Sequence, residues 1–260
     1  MQTLRRAPPR LAIPLVLLVL LVLLVPGAPA VEDAASSPPR ALIVTGSDVP
    51  AHDWRATTPI TRRILEDAGK FEVFVCEDAG VLESSSLARY DLVVLNYRNR
   101  PTEPLSDVAR ENLARFVREG KGLAAIHFAL DAFREWPEYA RMVGRVWKGK
   151  RQGGTSGHDP RGPFEVDVRA GEHPAAEGLA SFTTDDELYS NLEGETPIQV
   201  MAAARSGFSN KVEAVAWTLR YGEGKVFVTS LGHDAKAREN GGFRELLVTG
   251  CRWAAVAEGE

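Results

Sequence analysis

The chain has 260 residues, 44% of them hydrophobic and 25% charged, and a formal net charge of -4. That balance is ordinary for a globular protein with one substantial core and does not fit a disordered chain. No basic block and no aromatic-basic interleaving occurs, so nucleic acid is not expected as a partner.

The first stretch reads as an address. Arg5, Arg6 and Arg10 precede the apolar run Leu11 to Val25, and Pro26-Gly27-Ala28-Pro29-Ala30 follows. Small residues thus precede a cut after Ala30, the order of a secretory signal peptide. The run is short for a membrane span. Residues 1–30 are therefore read as a signal peptide and 31–40 as a flexible lead-in. Residues 41–257 are read as one domain. The mature protein is expected to be exported, periplasmic or secreted, with no membrane attachment after cleavage. Cys76 and Cys251 are expected to stay unpaired, as small apolar residues on a strand and a helix.

Arg40 to Thr45 is a first strand, ending at Gly46-Ser47-Asp48. A polar loop with His52, Asp53 and Trp54 follows. Thr57 or Thr58, then Pro59, is expected to open a helix with Ile60, Ile64, Leu65 and Ala68 on its apolar stripe. Phe71 to Cys76 is a second strand and Tyr90 to Asn96 a third. Ser106 caps a helix whose expected core face is Val108, Leu113, Phe116 and Val117. Gly120 to His127 is a fourth strand, buried on both faces because Leu123 to Ile126 is uniformly apolar. Asp131 is a candidate cap for a helix to Val143, which Pro137 would break or restart. Gly144 to Gly162 is expected to be a long loop and carries His158. Strands are expected over Phe164 to Arg169, Pro197 to Ala203, Glu213 to Thr218 and Lys225 to Leu231. A last helix runs from about Gly242 to Ala257.

Strand and helix alternate through the first half, which implies parallel βαβ units and a doubly wound α/β sheet. Conspicuous polar residues then fall at one end of several strands. Ser47, Asp48 and His52 follow the first; Asn96, Tyr97 and Arg98 follow the third. His127 ends the fourth and His233-Asp234 ends the last. In such a sheet these carboxyl ends open on one crevice. With His158, four of the five histidines could converge there.

At these residues the chain resembles the ThuA-like (trehalose utilisation) family. The resemblance is carried by Gly122-Leu123-Ala124-Ala125-Ile126-His127, His173-Pro174 and Asp186-Glu187-Leu188-Tyr189. Tyr221-Gly222-Glu223-Gly224-Lys225-Val226-Phe227 and Leu231-Gly232-His233-Asp234 complete it. It implies a class I glutamine amidotransferase-like fold, a flavodoxin-like three-layer α/β/α sandwich. It also implies a link to carbohydrate catabolism, where related proteins act in pathways through 3-keto sugars. True amidotransferases carry a cysteine nucleophile at the strand-to-helix turn. Here that turn carries His127, so no glutaminase activity is expected. Phe128 is bulkier than the small residue expected after this histidine, and Lys121 interrupts a glycine run.

Two chemistries fit these residues. Imidazoles and a carboxylate can hold a divalent ion such as zinc, with His52, His127, His233 and Glu187 as the set. Alternatively His127 or His233 is a general base, and Glu187 or Asp234 orients it or shuttles a proton. Trp54, Tyr97 and Tyr189 could stack on a pyranose, with His52, Asn96, His158 and Asp234 as polar contacts to it. Placement of Glu187 and His158 in the pocket rests mainly on the resemblance. The expected ligand is a small carbohydrate. A glycoside- or keto-sugar-processing enzyme, a sugar-binding module and a partner-recruiting domain all remain open on these residues.

Overall fold

The computed structural model describes residues 37–256. The expected signal peptide and most of the lead-in lie outside the described residues. Among these residues the strands are β1 (Arg40–Val44), β2 (Glu72–Cys76), β3 (Leu92–Leu95), β4 (Gly122–Ile126), β5 (Gly157–His158), β6 (Gly162–Val168), β7 (Phe182–Asp186), β8 (Tyr189–Ser190), β9 (Gln199–Arg205), β10 (Val212–Tyr221) and β11 (Gly224–Thr229). The helices are α1 (Trp54–Asp67), α2 (Asp107–Arg118), α3 (Pro137–Val143), α4 (Ala235–Arg238) and α5 (Gly241–Ala255). No helix among the described residues is long and apolar enough to cross a membrane.

Nine strands form one sheet in the order β2-β1-β3-β4-β11-β10-β9-β6-β7, while β5 and β8 pair separately. The first five are mutually parallel. Their order is the flavodoxin-like one, with β11 in fifth place. The uniformly apolar runs of β3 and β4 sit at its centre and are fully buried, as two covered faces require. α1 and α5 cover one face, through Ile64, Leu65, Leu246 and Leu247. α2 and α3 cover the other, through Leu113, Val117, Tyr139 and Met142. The result is a three-layer α/β/α sandwich.

From β11 onward each step is antiparallel. Two reversals restore direction, so β9 and β7 run the same way as β11. β7 therefore ends at the sheet edge where β4 and β11 end. β6 pairs with β9 only through Asp167 and Val168, and with β7 over Gly162 to Val166. This hairpin leans over the start of α5. The ring of Phe182 occupies the space beside Gly242, where an added Cβ would come within 2.1 Å of it. The lean returns the end of β7 to the parallel half.

Several local expectations are corrected. α1 begins earlier, at Trp54, because the Asp53 carboxylate accepts the N–H groups of Arg55 and Ala56 at 3.0 and 3.2 Å. Thr57 and Thr58 are inside the helix, with their hydroxyls turned to Asp53 O and Thr45. Val108 is 57% exposed and Ala109 takes its place in the core, because Ala109, Leu113, Phe116 and Val117 share the apolar stripe. Asp131 caps no helix. It closes a 3₁₀ turn over His127–Asp131, and its carboxylate takes Arg98 at 3.0 Å and Arg134. The α-helix restarts at Pro137, a favourable first helical residue. The loop after Gly144 is partly ordered by the β5–β8 pair.

Candidate metal centre

His127 follows β4 directly, and its backbone turns into the left-handed region with φ +49°. For a residue with a Cβ this costs on the order of 1–3 kcal/mol, and such strain collects at functional sites. The surroundings hold it there. Ile126 and Phe128, on either side, are buried. Nδ1 lies 2.7 Å from the carbonyl oxygen of Ser230, the residue after β11. A carbonyl can only accept, so Nδ1 carries the proton and Nε2 presents its lone pair. The side chain is fully buried.

Nε2 faces the carboxylate of Glu187 at 3.7 Å and Nδ1 of His233 at 3.2 Å. His233 Nδ1 is itself 3.2 Å from Glu187 Oε2. Three potential ligand atoms thus form a triangle with edges of 3.2 to 3.7 Å. A tetrahedral zinc site with bonds of about 2.0–2.1 Å has edges of roughly 3.3–3.4 Å, so the triangle is of that size. A network of hydrogen bonds alone accounts for it less well. One Nδ1–H cannot point well at two acceptors at once.

His52 supplies the fourth corner. It lies in a tight turn after β1, where its N–H meets Val49 O at 2.9 Å, directly before the Asp53 cap. Its ring stacks on Phe128 with centroids 4.8 Å apart and an interplanar angle of 14°. Both ring nitrogens are buried and have no hydrogen-bond partner. Leaving polar atoms so costs about 1–3 kcal/mol each, which calls for an unseen partner. One atom from each of His52, His127, Glu187 and His233 lies within 4.8 Å of the others. The donor set, imidazoles and a carboxylate, suits a divalent ion such as zinc.

The local electrostatics keep His52 neutral and Glu187 ionised, the forms in which each can act as a ligand. Burial, and then the neighbouring histidines, push the His52 pKa far down, so its ring is neutral. Burial alone would raise the Glu187 pKa, but the His127 and His233 imidazoles beside it outweigh that and hold the carboxyl well below its usual range. The hydrogen bond to Glu187 raises that of His233.

The rim is aromatic. Tyr189 packs on His127 at 4.3 Å between centroids and Trp147 packs on Tyr189 at 4.7 Å. His158, 42% exposed at its side chain, lies 3.9 Å from Glu187 Oε1. Its Nδ1 bonds to the Asp159 carbonyl at 2.8 Å.

The other residues expected at the site are engaged elsewhere. Trp54 donates to Asp48 at 2.9 Å, and the Arg55 guanidinium covers its ring. Asn96 is fully buried, accepting from Arg238 at 2.8 Å and donating to Thr58 at 2.8 Å. The ring of Tyr97 stacks on Phe133 at 5.9 Å. Asp234 caps α4 through the Ala237 N–H and pairs with Arg161 at 2.7 Å. His173 lies apart, bonded to Thr218 at 2.8 Å and packed on Trp253. Sequence reasoning missed Trp147, which sits in a loop with no periodic pattern. It also missed the role of Asp186, although the residue lies inside a quoted motif. Cys76 and Cys251 are both free thiols. Burial raises the thiol pKa of Cys251 in α5.

A family model described as trehalose utilisation (ThuA) matches residues 40–254. Among solved structures, a ThuA-like protein from Parabacteroides merdae is 25% identical with a TM-score of 0.73, over 84% of this chain and 90% of that one. A second, from Bacteroides uniformis, is 18% identical with a TM-score of 0.66, over 88% and 95%. A cytoplasmic protein of Salmonella typhimurium is 13% identical with a TM-score of 0.57, over 83% and 98%, and shares the fold. No curated protein matches the chain.

Proposed function

Because the chain belongs to the ThuA, or trehalose utilisation, family, we propose that it is an exported protein of carbohydrate catabolism with a divalent-metal centre. The centre is His52, His127, Glu187 and His233, and the substrate is a glycoside or 3-keto sugar derivative. The reaction class is hydrolysis, hydration or isomerisation. The observation that carries this reading is His52, whose two buried ring nitrogens have no hydrogen-bond partner while one of them lies within 4.8 Å of three further ligand atoms. When bound, such an ion supplies Lewis-acid polarisation of a sugar oxygen.

The chain's own residues supply the rest. The Ser230 carbonyl fixes the His127 tautomer, so that Nε2 faces inward. Glu187 turns Oε2 to the centre and Oε1 to His158. His158 stands half in solvent, where it can carry a proton between water and a substrate hydroxyl. Tyr189 and Trp147 offer an aromatic wall to the apolar face of a pyranose. No glutamine hydrolysis is expected, because the turn after β4 carries an imidazole in place of a thiol.

Elemental analysis of the purified protein, beside assays on disaccharides and their 3-keto forms, tests the proposal. One equivalent of a divalent metal is expected, with turnover lost on chelation and restored by the metal. Protein that stays metal-free in added zinc would remove the centre. Sugar binding without turnover would support a sugar-binding module instead.

Export rests on residues 1–30. Mass spectrometry of the protein from its native host is expected to find Val31 at the N-terminus. A chain that keeps Met1 through Ala30 would refute cleavage.

A further inference from the structure

Behind the cluster lie two buried charges that the proposed chemistry does not use. Asp186, 1% exposed, ends β7 immediately before Glu187. Its carboxylate accepts three backbone N–H groups, from Gly232 at 2.6 Å, His233 at 3.1 Å and Glu187 at 2.8 Å. Arg238, fully buried in α4, donates from Nε to the Gly232 carbonyl at 2.9 Å. Its other nitrogens reach Thr61 Oγ1 at 2.6 Å and Asn96 Oδ1 at 2.8 Å.

Gly232 is thus gripped from both sides, its N–H by the anion and its carbonyl by the cation. The grip needs glycine. Its φ is +93° and an added Cβ would lie 2.9 Å from the Phe243 ring. The next residue is His233. The residue after Asp186 is Glu187. Strands that are not neighbours in the sheet therefore deliver two ligand atoms to within 3.2 Å of each other.

We propose that Asp186 is a positioning residue which, with Arg238 opposite it, clamps the Gly232–His233 turn and sets the His233 ring beside the Glu187 carboxylate. It touches neither substrate nor metal and acts through backbone N–H groups. Loss of such supporting partners typically weakens metal binding by about 10–100-fold. The zinc readout rests on the metal reading above; the structural readout does not.

The test is Asp186→Asn, which keeps size but turns an amide NH₂ toward backbone N–H groups that need an acceptor. Zinc affinity, measured by competition with a chromophoric chelator, is expected to fall about 10–100-fold. The visible spectrum of the cobalt-substituted protein should change with it. Leu247→Ala, a fully buried core truncation in α5 away from the clamp, is expected to lower stability and leave both readouts unchanged. Should Asp186→Asn not fold, Arg238→Lys, which removes the Nε bond to Gly232 and keeps the charge, serves in its place.

Crystal structures of wild type and variant decide the matter independently of metal. The His233 Nδ1 to Glu187 Oε2 approach is expected to open beyond hydrogen-bond distance in the variant. A variant with the wild-type approach and, where the wild type binds zinc, wild-type affinity overturns the proposal. A wild type that takes no zinc at all defeats the metal reading and leaves the positioning claim to the structures.

Discussion

Replacing His127 with glutamine is expected to strip most of the bound metal and, with it, Lewis-acid help worth several kcal/mol, so that turnover falls by about 10²–10⁴-fold. The fold should survive. Glutamine is close to histidine in size and its amide can still donate to the Ser230 carbonyl, now met by Nδ1 at 2.7 Å. It cannot do so and also place a lone pair where Nε2 now stands, 3.7 Å from Glu187 and 3.2 Å from His233. The left-handed backbone at φ +49° is occupied by glutamine at modest extra strain, so the metal-free proteins should differ in stability by only about 1 kcal/mol. Steady-state kinetics, elemental analysis and a thermal melt on one preparation measure all three. Full turnover with full metal would end the assignment of His127 to the centre.

Asn96→Leu is expected to act on the fold. In the buried network Asn96 accepts from Arg238 at 2.8 Å and donates to Thr58 at 2.8 Å. Leucine fills a similar volume and does neither. A hydrogen bond to a charged group is worth about 1.5–3 kcal/mol, and leaving its buried partner short adds to that. The expected loss is about 2–4 kcal/mol, read from urea unfolding as a lower midpoint with an unchanged slope. A substrate contact at Asn96 would instead raise KM and leave the midpoint alone, so the same variant separates the two roles.

The parallel half of the fold was legible because its signals are local. Leu92 to Leu95 and Leu123 to Ile126 are short, uniformly apolar and separated by an amphipathic helix with a serine cap, and they became β3, α2 and β4. That order also carried His127 and His233 to one edge. The rest depended on contacts distant in sequence. Thr57, Thr58 and Pro59 look like a helix start, yet Asp53 is the cap, because the threonine hydroxyls are drawn inward to Thr45 and Asn96. Trp54 and Asp234 look like free polar or aromatic groups at strand ends until Asp48 and Arg161 are seen to occupy them. Glu187 reaches the site only because β7 returns after four reversals of strand direction from β11. Alternation within β7 does not encode that path; the motif resemblance did.

The β6–β7 hairpin joins the main sheet through only two residue pairs, Asp167 with Ala203 and Val168 with Ala202. So narrow a seam makes this the unit expected to open first, once the Asp186 contacts to Gly232 and His233 are released. Glu187 leaves with it, whereas His52, His127 and His233 stay on the loops after β1, β4 and β11. The residence time of anything held by all four is then governed by the opening of this unit, as well as by the strength of each contact. By mass action the converse holds: a ligand bound only in the closed state stabilises the hairpin by about 2.7 kcal/mol at a hundred times its dissociation constant. A part of the sheet joined by so few ladder pairs would then depend for its rigidity on what the site contains.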